Sequence, residues 1–68
     1  MKFESYTTLI EYKDKITVSD SHGRLLYTGE FGEMTIRTFA ELKNKSVVSI
    51  DSIINEAESI LVIRVYVD

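Results

Sequence analysis

The sequence predicts a small α+β domain: an antiparallel β-sheet in the order β-β-β-α-β-β, with one helix packed on one face. Two observations predict it. Apolar residues recur at every second position through most of the chain, which is typical of half-buried strands. One stretch, residues 35–44, instead has a helical spacing. The 68 residues are enough for a single domain, 1–68.

Residues 3–12 fit two interpretations. Polar and apolar residues alternate between Tyr6 and Tyr12 as in a strand, whereas Phe3, Tyr6 and Ile10 also fit one stripe of a helix. The threonines and tyrosines of this segment favour a strand. We therefore predict a first strand here, followed by a short turn.

A hairpin is predicted next. Ile16 and Val18 alternate with polar residues, and the same alternation resumes over residues 25–31. Between them, the side chain of Asp20 can bond its own backbone, and Gly23 can supply a positive φ. His22 lies inside this turn.

The helix is predicted to begin at Thr35, a good N-cap residue, with Ile36, Phe39 and Ala40 along its apolar stripe. Asn44 is a plausible end. About ten residues form a helix too short to persist alone, so it must dock on the sheet.

The final hairpin joins a half-buried strand, 47–54, to the segment 60–67 through a turn at 55–58. Segment 60–67 is apolar on both sides, and such a strand is usually central or covered on its second face. In so small a chain the cover could be a second copy. We therefore expect a homodimer whose self-association residues are Ile60, Val62, Arg64 and Tyr66.

The composition excludes several kinds of chemical site. The chain has no Cys and one His, which excludes disulfides, thiolate metal sites and an all-histidine metal site within one chain. We predict no metal and no cofactor. Small domains usually gain stability from disulfides, a metal or oligomerisation, so either the core is unusually apolar or the chain associates with itself.

No residues suggest catalysis. His22 is the only candidate base for a nucleophilic triad, and its sequence neighbours in a turn do not converge on a substrate. The carboxylate pairs Glu30 with Glu33 and Glu56 with Glu58 lie at turns that water reaches, whereas acid–base work needs a carboxyl buried in a cleft. We predict that the protein is not an enzyme.

Charge is unevenly placed. Residues 1–45 carry seven basic and seven acidic residues, whereas residues 46–68 carry one Arg and four acids, the whole of the net charge of −3. Nucleic acid is therefore not expected as the main partner, since phosphate binding needs a concentrated basic face. The four Tyr and three Phe leave one alternative, a single-stranded nucleic-acid-binding module that stacks bases on sheet aromatics.

The beginning of the chain has no signal-peptide pattern. The longest nearly apolar stretch, 60–67, is interrupted by Arg64 and is too short to span a bilayer. We expect a soluble cytoplasmic protein of a bacterial host, without a membrane partner.

From Asp20 onward the order of elements resembles the small bacteriophage proteins that inhibit uracil-DNA glycosylase. The similarity covers the acidic turn ending at Gly23 with its two flanking strands, the segment 34–39 that opens the helix, and a closing strand like 63–65. The resemblance implies a homodimer that imitates DNA, with acidic groups along a sheet edge and a helical aromatic in the enzyme's pocket. By position Phe39 would be that aromatic. Two added strands and a lower acidity depart from the family.

The function predicted from these observations is that of a non-catalytic small interaction protein. We expect it to be encoded by a phage or mobile element and to bind and modulate a host protein of unknown identity. A DNA-mimic inhibitor of a DNA-handling enzyme such as uracil-DNA glycosylase is the alternative that the resemblance adds. The predicted partner-binding residues are Glu30, Glu33, Phe39, Glu56 and Glu58.

Overall fold

A computed structural model describes all 68 residues and confirms the α+β class. In chain order the helices and strands are α1 (Phe3–Tyr6), β1 (Lys15–Ser19), β2 (Leu25–Glu30), α2 (Ile36–Leu42), β3 (Val47–Asn55) and β4 (Ile60–Val67). Short 3₁₀ turns follow α1, at Thr7–Leu9, and β2, at Phe31–Glu33. None of the helices combines the length and the apolar character needed to cross a membrane.

The four strands form one sheet in the order β2-β1-β4-β3. Each hairpin pairs antiparallel, but β1 and β4 run parallel, with Val18 beside Val65. The expectation of a wholly antiparallel sheet was therefore wrong at this junction. Helix α2 connects the two hairpins. The last strand of the second hairpin, β4, lies beside β1 and runs in the same direction. The doubly apolar strand β4 is central, which is one of the two alternatives that its pattern left open.

The predicted N-terminal strand is a helix followed by a 3₁₀ turn. Phe3 and Tyr6 are one helical turn apart, and both are buried. The hydroxyls of Thr7 and Thr8 donate to backbone carbonyls one turn earlier, at 2.8 and 2.7 Å, so these threonines are compatible with helical backbone. Burial of two aromatics on one stripe outweighs the strand preference of the segment.

The core lies on one face of the sheet. Strand residues on this face alternate with residues on the other, and both helices contribute side chains to the same cluster. No helix covers the second face, which we call the open face. The seven buried residues are Phe3, Tyr6, Ile16, Val18, Leu42, Val65 and Val67.

Helix α2 begins as predicted. The Thr35 hydroxyl accepts a hydrogen bond of 3.1 Å from a backbone N–H in the first turn. Its buried side is formed by Leu42 and the half-buried Phe39, whose ring lies 6.3 Å from that of Phe3. Ile36, placed on the apolar stripe by its spacing, is instead 89% exposed. Docking against α1 turns the helix so that its first turn lies outside the core.

Both hairpin turns contain a left-handed residue. Gly23 has φ +80°, which confirms the prediction for the first turn. In the second turn the side chain of Asn55 accepts a hydrogen bond from a backbone N–H two residues on, at 3.1 Å, and Ser59 has φ +55°. Ser59 thus adopts a conformation that glycine occupies at lower cost.

Candidate interaction surface

Strand β3 forms one edge of the sheet. Its nine residues span about 30 Å, comparable with the longest dimension of the molecule, 32 Å. None of the nine is buried. The N–H of Val47 donates to the Met1 carbonyl at 2.7 Å, and beyond this first residue one side of the strand has no neighbouring strand. A row of backbone donors and acceptors is therefore open to another chain.

Large apolar side chains are exposed on the β3–β4 hairpin. Their exposed fractions lie between 43% and 66%. The pairing of the two strands places them on both faces of the hairpin, so this part of the sheet is a thin layer that solvent reaches from two sides. We call this set the apolar hairpin surface: Val48, Ile50, Ile53, Ile54 and Leu61.

The helices do not reach this part of their own face. Ile50 lies opposite the buried Val65, and Ile54 lies opposite Leu61, so both isoleucines point to the helix side. However, β1 begins beside Val62, and the hairpin extends past the end of β1. Ile54 and Leu61 lie beyond that point and are 66% and 56% exposed.

The open face carries the second half of the apolar hairpin surface. Here Ile53 lies opposite Val62 and Ser49 lies opposite Tyr66, with Asp51 and Arg64 between these pairs. The four predicted self-association residues of β4 are thus brought together in one row. Each is half-buried, and no helix packs over them.

An ion pair joins the two strands on the open face. Arg64 donates from Nε and Nη2 to the two carboxylate oxygens of Asp51, at 2.6 and 2.8 Å. This bidentate hydrogen bonding lowers the pKa of the Asp51 carboxyl, and it raises the pKa of the Arg64 guanidinium. The pair neutralises the only charged residue of β3.

Three of the predicted partner-binding carboxylates lie near the hairpin ends. Lys15 lies opposite Glu30 in the β1–β2 ladder, and its ammonium is 3.5 Å from the carboxylate of Glu58. The ends of the two hairpins are thereby brought close to one cation. Glu56 lies exposed in the same turn as Glu58.

Phe39 and Glu33 are placed differently. Phe39 packs on the core from α2 and also lines an open cavity of about 660 Å³, together with Tyr12 and Phe31, whose rings stack at 5.9 Å. Glu33 is exposed in the 3₁₀ turn after β2, where with Glu30 it helps to raise the pKa of Tyr27, an effect led by burial. The five predicted partner-binding residues therefore do not form one surface.

The tyrosines are dispersed. Tyr6 is buried in the core, and its pKa is raised by burial and by nearby Asp14. Tyr27 is on the helix side and donates its hydroxyl to a backbone carbonyl at 2.6 Å, while Tyr12 lies in the loop after α1. Tyr66 is the only tyrosine on the open face. A base-stacking row of tyrosines across the sheet is not present.

His22 is exposed in the first turn, where its backbone N–H donates to Asp20 at 2.9 Å. The Asp20 carboxylate also accepts from the backbone N–H of Arg24, and this second bond is the main cause of its lowered pKa. No three His, Cys, Asp or Glu side chains are grouped so that they could hold a metal ion.

The sequence interpretation missed the exposed residues of β3. It placed residues 47–54 in an ordinary half-buried strand, because apolar and polar residues alternate over most of them. One signal was available. Ile53 and Ile54 are adjacent, so one of them must lie on each face of a strand.

Comparison of the chain with protein-family models, curated proteins and solved structures found no match.

Proposed function

We propose that this chain is a non-catalytic interaction domain that binds a protein partner over the open face of its sheet. The observation that carries the proposal is a row on a face that no helix covers: Ile53 and Val62, then the internally paired Asp51 and Arg64, then Tyr66. Contiguous apolar patches rimmed by polar groups are typical of protein-binding sites.

The charges of the open face favour a protein over a nucleic acid. Its two basic side chains are both paired with acids, Arg64 with Asp51 and Lys15 with Glu58. A phosphate backbone would have to compete with these carboxylates for each cation. A neutral apolar surface with a few polar groups suits the centre of a protein–protein interface instead.

The resemblance to uracil-DNA glycosylase inhibitors, and with it the phage origin and the modulation of a host enzyme, stays a prediction. For a DNA mimic, Phe39 would have to reach into a partner's pocket, whereas it now packs against Phe3. The carboxylates of a DNA mimic would also have to lie where the phosphates of a DNA strand lie. One of the predicted carboxylates, that of Glu58, is instead paired with Lys15 of the same chain.

The test compares two substitutions that introduce the same charge. Ile53→Lys places a cation in the middle of the open face, and Ile36→Lys places one on the exposed first turn of α2. Each tagged variant and the wild-type chain are used to capture proteins from a bacterial lysate, and captured proteins are identified by mass spectrometry. We expect a protein bound by the wild type to be retained by Ile36→Lys and lost with Ile53→Lys.

Far-UV circular dichroism and urea unfolding provide the control that both variants are folded. Equal capture by Ile53→Lys and the wild type would contradict binding over the open face. Capture that is lost with Phe39→Ala and retained with Ile53→Lys would point to the inhibitor alternative.

A further inference from the structure

We propose that two copies of this chain pair antiparallel along the β3 edge, so that their two sheets join into one sheet of eight strands. This contact lies at a strand edge and leaves the open face uncovered. It uses the backbone of β3 and the helix side of the sheet, whereas the partner binding proposed above uses the open face; the two surfaces share Ile53.

Between Ser49 and Asn55 the β3 edge has few of the features that usually prevent edge-to-edge pairing. Its one charged residue, Asp51, is paired with Arg64 of the same chain. Natural edge strands are short, or they carry lysine, proline, bulges or inward-pointing charges. The segment Ser49–Asn55 is regular over seven residues and contains neither lysine nor proline. The one bulge of β3 lies before it, between Val47 and Ser49.

The other edge of the sheet is protected. Strand β2 has six residues, and its pairing with β1 is shifted by a bulge next to Ser19. Gly29, with φ +134°, interrupts regular strand geometry within it, and the charged Glu30 ends it. The two edges therefore differ in the length of regular strand that a second chain could pair with.

The sequence of β3 is complementary to itself in one antiparallel register. A two-fold axis through Ser52 sets Ile50 of each copy opposite Ile54 of the other, on the helix side. The same axis sets Ser49 opposite Asn55 on the open face. Directly opposed β-branched side chains of this kind are the units that stabilise a sheet. Both isoleucines are exposed in the single chain.

The two registers shifted toward the start of β3 fit less well. An axis through Asp51 would place two carboxylates directly opposite each other, which is destabilising. An axis through Ile50 would bring the bulged residue Val48 into the ladder. In the proposed register Asp51 lies beside Ile53 of the other copy and keeps its own Arg64 as a partner. No like charges are then opposed.

The size of the core gives the pairing a physical reason. Only seven of 68 residues are buried, and a domain this small commonly gains stability by oligomerisation. Edge pairing satisfies the free backbone groups of β3 and covers apolar side chains on the helix side, where the helices do not reach. A strand of an unrelated protein could also pair with this edge. A second copy is favoured because the two-fold axis through Ser52 pairs all seven residues of Ser49–Asn55 with the same segment of the other copy.

A single-cysteine experiment tests the register directly, because the chain has no other Cys. In the proposed pair, Ser52→Cys brings two thiols opposite each other, whereas Thr28→Cys on the β2 edge does not. Under mild oxidation at micromolar concentration we expect a covalent dimer from Ser52→Cys and monomer from Thr28→Cys. Equal cross-linking of the two variants, or none of either, would overturn the proposal.

Sedimentation equilibrium of variants without cysteine supplies the second measurement. Ile54→Lys should weaken association by roughly tenfold or more, while Ile36→Lys should leave it unchanged. The double variant Ile50→Glu with Ile54→Lys should restore association, because opposite charges meet only in the register centred on Ser52. A wild-type chain that is monomeric at these concentrations would overturn the pairing without affecting the test of the open face.

Discussion

Strands β1 and β3 have a similar alternation of apolar and polar residues, but they differ completely in burial. In β1, Ile16 and Val18 are inaccessible to solvent. In β3, none of the nine residues is buried. The two strands lie on opposite sides of β4 in the same sheet. The contrast therefore comes from position: β1 is central and lies under the helices, whereas β3 is at an edge that the helices do not cover.

The comparison shows what an alternating pattern means. Period two determines which residues share a face, but whether that face is buried depends on the element packed against it. Helix α1 supplies Phe3 and Tyr6 to the core cluster that contains Ile16, Val18 and Val65, whereas Val47 is the one residue of β3 packed against this cluster. The apolar residues left exposed on β3 are the basis of both interaction surfaces proposed here.

The largest expected effect is the difference between β1 and β3 in the free energy of unfolding that is lost when isoleucine is replaced by alanine. Ile16→Ala should lower the free energy of unfolding by about 2–5 kcal/mol, because it opens a cavity in the core. Ile53→Ala, at a site that is 43% exposed, should cost about 1 kcal/mol or less. Urea unfolding at low protein concentration measures both values without a contribution from association.

A domain of this size can unfold completely when it loses several kcal/mol. Ile16→Val, which should cost about 0.5–1.5 kcal/mol, keeps the comparison measurable in that case. If Ile16 and Ile53 proved equally sensitive, the assignment of β1 to the core and β3 to the surface would be wrong.

An intermediate effect is expected at the hairpin turns. Ser59 has φ +55° in the turn before β4, where a residue with a Cβ is disfavoured. Ser59→Gly should therefore stabilise the protein by up to about 1 kcal/mol. The reverse change in the first hairpin, Gly23→Ser at φ +80°, should destabilise it by a similar amount, about 1 kcal/mol. Thermal unfolding of the two variants and the wild type compares the turns.

The smallest expected effect concerns acid and salt. Asp20 in the first turn and Asp51 on β3 both have a pKa below the ordinary value for Asp, about 3.9. A carboxyl with a lowered folded-state pKa stabilises the fold above its unfolded pKa, and this contribution is lost as the pH falls through the folded pKa. Stability should thus fall slightly as the pH is lowered from about 5 to about 3.

The two carboxyls should respond differently to salt. Backbone N–H groups are the main cause at Asp20, whereas the Arg64 side chain is the main cause at Asp51. Salt screens an exposed ion pair. The part of the acid-induced loss of stability that disappears in Asp51→Asn should therefore be smaller at high salt. The part that disappears in Asp20→Asn should change less, because the Arg24 guanidinium, 3.3 Å from its carboxylate, contributes less to the lowered pKa than the backbone N–H of Arg24. Urea midpoints at two pH values and two salt concentrations check this, and an equal salt response would contradict the distinction.

Much of the fold could be predicted from local patterns. The turn at Gly23 and the N-cap at Thr35 follow from residue types that act on their immediate neighbours, and both were confirmed. The assignment of residues 3–12 as a strand was wrong. Both patterns were present there, and burial of Phe3 and Tyr6 against distant strands selected the helix.

The candidate surface was less predictable. The row Ile60, Val62, Arg64 and Tyr66 could be placed on one face, since alternate residues of a strand share a side. Its position on an uncovered face depends on which side the helices occupy, and no local pattern encodes that choice. The β3 edge was missed for the same reason, because edge or central position is a property of strand order.

The sequence by itself determined the α+β class, the helix start, the hairpin turns and the side of each strand on which residues fall. These depend on backbone preferences and periodicity, which act over a few residues. The tertiary structure alone decided that β1 and β4 run parallel, that both helices cover one face, and that β3 is a free edge. Those features arise from contacts between residues far apart in the chain, where burial of apolar area outweighs local preference.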